Sequence, residues 1–231
     1  LILNNPIISF IGVLNYLLFL NYFFLKFKLF KSNKHLSKYI NFLIITISFG
    51  AIVNFFVSPN IFGLINNAAL QIIKPFKEIT SNDINDTLDV NLKAPLLLSQ
   101  VLLSELKKNN GKIINISSIH SKLTKINFLA YSVSKSAIDG FTRALALEIG
   151  QDVGVIGIAP AAIKTKMLEK SFSGHHQKFK NLKNFHPTKT IGTPEEIAEL
   201  INYIIHSKGK FLNGSIINID GGISHKLHDP K

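Results

Sequence analysis

Apolar positions follow two different rules along this chain, and the change falls near Ser58-Pro59. Upstream, residues 7–25 and 39–57 form two long apolar runs, separated by a stretch carrying Lys26, Lys28, Lys31, Lys34 and Lys38. Asn4, Asn5, Asn15, Asn21, Asn41 and Asn54 interrupt the apolar pattern, and neither helical nor alternating periodicity is clean. Downstream, short β-branched runs alternate with helical patterns. Ile61–Asn66 predicts a strand, and Ser81 can cap a helix running through Leu88 and Asn91 towards Lys108, where Asn110-Gly111 ends it. Residues 112–117, 153–159 and 215–220 predict further strands, and residues 131–149 and 195–206 further helices. Thr193-Pro194-Glu195-Glu196 supplies the last helix with an N-cap, a first-turn proline and a capping-box glutamate. Strands alternating with helices imply an α/β fold, a parallel sheet covered on both faces. No internal repeat is visible.

The first 60 residues admit two readings. Each apolar run has the length of a bilayer-spanning helix, and the lysines between them would hold the connecting loop in the cytoplasm. The first run is too long, and too poor in preceding positive charge, for an ordinary cleaved signal peptide. This reading makes residues 7–57 a membrane anchor. The other makes residues 1–60 a degraded or mistranslated remnant of a nucleotide-binding half. A chain that begins at Leu rather than Met also fits a fragment or an unusual start. The division is therefore 1–60, an apolar and acidic-free segment, and 61–231, a catalytic domain.

Composition narrows the class. A chain of 231 residues, 46% hydrophobic, can bury the core of a full-sized α/β domain. The absence of cysteine excludes disulfides and Cys-ligated metals and agrees with a cytoplasmic protein, or with a membrane-associated one whose catalytic domain is cytoplasmic. Of the net charge of +12, five lysines lie in residues 1–60; the remainder carries 21 basic and 14 acidic groups. That excess is spread over polar helix positions rather than gathered into one run with interleaved aromatics, which describes a solvated basic surface and not a nucleic-acid site. Residues 167–189 read by position as a mobile substrate lobe. Its His175, His176 and His186 lack metal-ligand spacing, so they and the C-terminal His225 and His228 are solvated or packing residues and no metal is expected.

Candidate chemistry begins with Tyr131 and Lys135. Four residues apart on a helix, they share one face. A free tyrosine titrates near pH ~10, and an adjacent lysine cation favours its phenolate. A serine ends the strand at 112–117, where parallel sheets collect ligands; Ser117 and Ser118 point to opposite faces, and alternation does not choose between them. Pro95 lacks the N–H that would satisfy the carbonyl of Asn91, one turn earlier. A carbonyl released at such a kink can hold a water.

Taken together, Ile65-Asn66-Asn67-Ala68-Ala69, Asp89-Val90-Asn91, Ile114 to Ser118, Tyr131 to Lys135, Ala159-Pro160 through Thr165 and Ile219-Asp220-Gly221-Gly222 resemble, in order and spacing, the second half of a classical short-chain dehydrogenase/reductase. The resemblance runs from about Ile61 to the C-terminus. It implies a Rossmann-like, doubly wound parallel sheet with helices on both faces, its N-terminal part atypical or incomplete. It implies NAD or NADP as cofactor and a small carbonyl/alcohol substrate, 3-oxoacyl or similar, and it selects Ser118, thirteen residues before Tyr131. The implied roles are Tyr131 as general acid/base and Ser118 as carbonyl-orienting donor. Lys135 would lower the tyrosine pKa and hold the nicotinamide ribose, and Asn91 would organise a relay water. Asn67, Ala68 and Val90 would line the cofactor groove, with Pro160, Ile163 and Thr165 at the nicotinamide. A homodimer or homotetramer is implied through the helices of Asn91 and Tyr131, and Leu96, Leu97, Leu98 and Leu102 suit either such an interface or a wide core face. Three departures stand out. Ala69 and Ala161 replace family glycines, and no Thr-Gly-x-x-x-Gly-x-Gly turn occurs; counted back from Asn66, it would fall around or before Leu1.

Overall fold

The computed structural model describes residues 57–58, 61–165, 168–169, 172, 174 and 176–227. The candidate anchor, residues 7–57, lies outside the described residues except for Val57, as do His175 and His228. Among the described residues no helix is long and apolar enough to cross a membrane.

Among the described residues five strands lie in the order β1-β2-β3-β4-β5: β1 Val57–Ser58, β2 Ile61–Asn66, β3 Lys112–Ile116, β4 Gly154–Pro160 and β5 Ile216–Ile219. The last four are parallel, each next to its successor. β1 is an addition to the expected set and runs antiparallel, with Val57 opposite Phe62. β2 has the predicted bounds, and the ends of the other predicted strands differ by at most one residue, within the usual fraying of element limits.

Among the described residues the α-helices are α1 Ser81–Leu88, α2 Ala94–Lys108, α3 Leu129–Ile149, α4 His176–Phe185 and α5 Pro194–His206. Ser81 is the first residue of α1 and not its cap. Thr80 takes that place because the acid three residues on is Asp83: the Thr80 N–H donates to the Asp83 carboxylate at 2.9 Å, and the Asp83 N–H to Thr80 Oγ1 at 3.2 Å. Ser81 has Ile84 at the matching position and cannot close the box. At the end of α2, Asn110 rather than Gly111 takes the left-handed conformation (φ 49°), while the Gly111 N–H returns to the Leu106 carbonyl at 2.7 Å. The capping box of α5 forms as the sequence predicts, with Thr193 N–H on Glu196 Oε2 at 2.7 Å.

Between α1 and α2 the helix does not break at Pro95. Asp89–Lys93 winds as a π-turn, and the Ala94 N–H reaches back five residues to the Asp89 carbonyl. A wider turn is one way for a helix to pass a residue without a donor. It leaves α1 and α2 continuous, where the sequence alone suggests a kink.

Strand alternation sorts the core into two faces. Ile65, Ile114, Ile156 and Ile158 pack with Ile204 of α5 and with Leu200, Ile201 and Ile205 beside it. Each fully buried side chain of this kind stabilises the fold by ~1.5–3 kcal/mol. Lys112, on the same face of β3, donates to the carbonyls of Ile204 and Ser207 and so caps the end of α5. The opposite face turns Leu64, Asn66, Ile113 and Asn115 towards α2 and α3. There, polar groups replace part of the apolar packing. Asn66 Nδ2 donates to Asn115 Oδ1 at 2.7 Å, Asn115 Nδ2 to Thr142 Oγ1 at 2.9 Å, and Thr142 Oγ1 to the Ile138 carbonyl at 2.8 Å. The β2–β3 register sets Asn66 directly beside Asn115, and the chain of bonds ties both strands to α3.

Candidate active site

The parallel strands end on one side of the sheet, and β3 delivers Ser117 and Ser118 there. Ser117 is engaged in the fold: its N–H donates to the Ile158 carbonyl at 2.7 Å and its Oγ to the Lys135 carbonyl at 3.4 Å. Ser118 is extended and turns its hydroxyl the other way. Its Oγ accepts from the His120 N–H at 3.2 Å and its side chain bonds that of Tyr131. The two hydroxyls therefore divide as alternation requires, with Ser118 on the tyrosine's side.

Tyr131 and Lys135 stand one turn apart in the first half of α3, and the Lys135 ammonium lies 5.5 Å from the phenol ring centroid. Lys135 is buried, and its Nζ donates to the Ile116 carbonyl at 2.7 Å. Burial lowers its pKa to about 8, opposed by the charge of Asp139 one further turn along. The tyrosine departs from expectation. Burial raises its pKa, and the bond with Ser118 only partly offsets this. The removal of water from the phenol is the larger effect.

Asn91 is 2% exposed within the π-turn, and its side chain is fully used. Its Oδ1 accepts from the Leu70 N–H at 2.7 Å, and its Nδ2 donates to the Leu70 carbonyl at 2.9 Å and to Ser134 Oγ at 2.8 Å. Ser134 in turn donates to the Tyr131 carbonyl at 2.7 Å. Asn91 thus fastens the loop after β2 to the helix that carries the tyrosine. Ser134, which sequence reasoning passed over, is the intermediate. Its spacing three residues after Tyr131 was the available signal.

The remaining predicted residues lie along the same ends of the strands. Asn67 is exposed and Ala68 half-buried just beyond β2, and Val90 is half-buried in the π-turn. Ala69 and Ala161 are outside the positive-φ set, so the methyl in place of a glycine hydrogen is accommodated. Pro160 closes β4, and Ile163 forms a parallel bridge with Gly192. Thr165 Oγ1 accepts from the Leu168 N–H at 3.3 Å. Ala161 and Ile163 line a small cavity with His186, Thr188, Glu196 and Asp220. His186 is buried, with Nδ1 donating to the Leu182 carbonyl at 2.9 Å. In the Asp220-Gly221-Gly222 segment both glycines have positive φ, 59° and 81°, and Gly222 N–H donates to Asp220 Oδ1 at 2.9 Å. Of the leucines expected at a subunit interface, Leu96 and Leu97 are exposed, whereas Leu102 is buried and belongs to the core.

The loop joining β3 to α3 adds residues that no motif announced. His120 stacks on Phe128 at 4.8 Å, and both rings meet the Tyr131 ring edge-on. Burial, and then the charge of Lys125, lowers the His120 pKa to about 4. Its ring is neutral at physiological pH.

This arrangement has relatives. The family model described as enoyl-(acyl carrier protein) reductase matches residues 50–224. An uncharacterized oxidoreductase of Thermotoga maritima is 34% identical over 164 residues, 69% of this chain and 65% of that protein. The 3-oxoacyl-(acyl-carrier-protein) reductase FabG of Buchnera aphidicola is 32% identical over 162 residues, again 69% of this chain and 65% of that protein. The chain thus spans just under two thirds of the length of these curated relatives. Among solved structures, 4-hydroxyisoleucine dehydrogenase complexed with NADH aligns with TM-score 0.68 and 28% identity over 83% of this chain and 76% of that one. ElxO with NADP bound aligns with TM-score 0.66 and 26% identity over 71% and 67%. With the family's sequence pattern matched across most of its length and the parallel sheet in place, the chain belongs to the short-chain dehydrogenase/reductase family.

Proposed function

We propose that this protein is an NAD(P)-dependent oxidoreductase interconverting a carbonyl and an alcohol on a small-molecule substrate, of 3-oxoacyl or similar type. The observation that carries the reading is the meeting of Ser118, Tyr131 and Lys135 at the carboxyl end of β3. In this reading the Tyr131 hydroxyl gives its proton to the substrate oxygen during reduction and takes it back during oxidation. Ser118 Oγ donates to the same oxygen and fixes its position. Asn91 holds the Leu70 loop against α3, so that the tyrosine backbone stays in place.

The nicotinamide end of a dinucleotide fits the residues present. Lys135 spends one N–H on Ile116 and has no other hydrogen-bond partner among the described residues, which leaves donors for ribose hydroxyls in a buried setting. Pro160, Ile163 and Thr165 would hold the carboxamide, and Asn67, Ala68 and Val90 the adenosine side of the groove. Bound there, the nicotinamide would donate or accept hydride at the substrate carbon. Exposed Leu96, Leu97, Leu129 and Val133 on α2 and α3 support a homodimer or homotetramer, and we assign the chain to the cytoplasm.

Replacing Tyr131 by Phe is expected to lower turnover by ~10²–10⁴-fold while circular dichroism stays native; retained NAD(P)H oxidation would refute the assignment. Titration with NADH and NADPH tests the cofactor assignment separately from turnover, since micromolar binding of either supports it and absence of binding to both would refute it.

A further inference from the structure

The loop between β3 and α3 passes directly over the proton-transfer residues, and His120 touches both of them. We propose that His120 is a positioning residue for Ser118 and Tyr131: its backbone links the serine to α3, and its ring, with Phe128, forms the wall against which the phenol is held. The inference rests on the oxidoreductase reading for its kinetic consequences, though not for its physical content.

The backbone of His120 is held from both sides. Its N–H donates to Ser118 Oγ at 3.2 Å, and its carbonyl accepts from Ser132 Oγ, the residue after Tyr131, at 2.7 Å. A single residue therefore ties the Ser118 hydroxyl to the residue beside Tyr131. The ring is equally constrained. It lies on Phe128 with centroids 4.8 Å apart and planes 14° from parallel. The Tyr131 ring stands nearly perpendicular to both, 5.8 Å and 74° from His120 and 6.3 Å and 83° from Phe128. Two stacked rings standing nearly perpendicular to a third make a favourable aromatic arrangement that resists rotation of the third.

That resistance matters because a tyrosine side chain carries its oxygen at the end of a long lever. A small swing about its first two torsions moves the hydroxyl by about an ångström, enough to cost ~10²-fold in rate where reacting atoms must be aligned. Phe128 alone, three residues earlier in the chain, flanks one side. His120 arrives from another segment and supplies the second surface. Lys125 covers the outer side of the cluster, with Nζ 4.4 Å from the Phe128 centroid, and Thr124 Oγ1 lies 3.4 Å from His120 Nδ1. Burial and Lys125 keep the ring uncharged at neutral pH, so it acts as an aromatic surface and not as a second cation beside Lys135.

The test uses the full chain with ¹³Cζ-labelled tyrosine, the Tyr131 resonance being identified by its loss in Tyr131→Phe. His120→Phe keeps the ring and removes the nitrogens. His120→Ala and His120→Gln remove the ring, and Gln serves should Ala fail to fold. Water reaching the phenol should lower the Tyr131 titration midpoint in Ala and Gln, with Phe close to the native value. In turnover, Ala and Gln should reduce kcat by ~10- to 100-fold with little change in KM, and Phe should restore most of it. A native midpoint in the ring-deleted proteins, or a Phe variant displaced as far as Ala, would overturn the proposal. Absence of turnover in the parent chain would count against the oxidoreductase reading alone, because the phenol titration still decides the role of His120.

Discussion

Replacing Lys135 by Met exchanges a buried ammonium for an apolar side chain of similar length. Lys135 is 3% exposed, and burial brings its pKa from an ordinary 10.5 to about 8. At ~1.4 kcal/mol per pKa unit this corresponds to about 3 kcal/mol of linkage between the lysine's proton and folding. Its sign follows from which state holds the proton. Below pH 8 the lysine is charged in both the folded and the unfolded chain, and the full cost of burying the charge is present. Between pH 8 and 10.5 the unfolded chain binds more protons than the folded one, so stability from this residue rises with pH. By pH 10 roughly 2 kcal/mol should have been recovered. The variant lacks the titrating group and should not recover it. Loss of the bond to Ile116 and of the partner charge for Asp139 shifts the variant's stability by an amount largely independent of pH, so the comparison is made between slopes. Urea unfolding followed by circular dichroism at pH 7.5 and pH 10 measures them. The native-minus-variant difference should move by roughly 2 kcal/mol in favour of the native chain, or ~4–8 °C in thermal midpoint for a chain of this size. Parallel pH dependences would refute the reasoning, since they would mean that Lys135 is solvated in the folded state.

Three further outcomes are expected. Asn115→Ala removes the centre of the Asn66–Asn115–Thr142 chain and leaves buried groups on both sides without their partner; at ~1–3 kcal/mol for each such group, a loss of roughly 2–5 kcal/mol should appear in thermal melting. Asn91→Ala frees the Leu70 N–H from the side-chain oxygen that accepts it, so amide exchange at Leu70 should accelerate, and kcat should fall by ~10-fold or more as the loop separates from α3. Asp83 is held at about 2, first by its bond with Lys74 and then by those with Thr80. Because its folded pKa lies below the unfolded value, the native chain should lose stability as pH falls from about 4 to 2, and Asp83→Asn should flatten acid unfolding across that window.

What could be read from the sequence was local. β2 was legible because a short apolar run is bounded by Pro59-Asn60 before it and Asn66-Asn67 after it, and α5 because Thr193 and Glu196 sit at fixed spacing in one turn. The same logic misplaced the start of α1 only where the spacing was not followed through, since Thr80 and not Ser81 has an acid three residues on. Pro95 shows a subtler limit. A missing N–H demands some rearrangement of the helix, but a kink and a π-turn both meet the demand, and the tertiary bonds of Asn91 to Leu70 and Ser134 accompany the second. The Asn66–Asn115–Thr142 chain and the approach of His120 to Tyr131 join segments whose separation in sequence carries no period.

The tyrosine makes the distinction sharpest. Four-residue spacing establishes that Tyr131 and Lys135 are neighbours, and Coulomb's law then says that each favours the charged form of the other. Spacing carries no information about water. Once α3 packs on the sheet, both groups lose solvent, the phenol's pKa rises and the ammonium's falls to about 8. Burial thus works against the charged form of each member of the pair. A substrate oxygen and a nicotinamide ribose, contacting the Tyr131 hydroxyl and the remaining Lys135 donors, would supply the hydrogen bonds that the desolvated pair lacks. On the proposed function, the phenol should therefore titrate lower with cofactor and substrate analogue bound than without them, and a midpoint unmoved by both would separate the burial of this pair from any role in proton transfer.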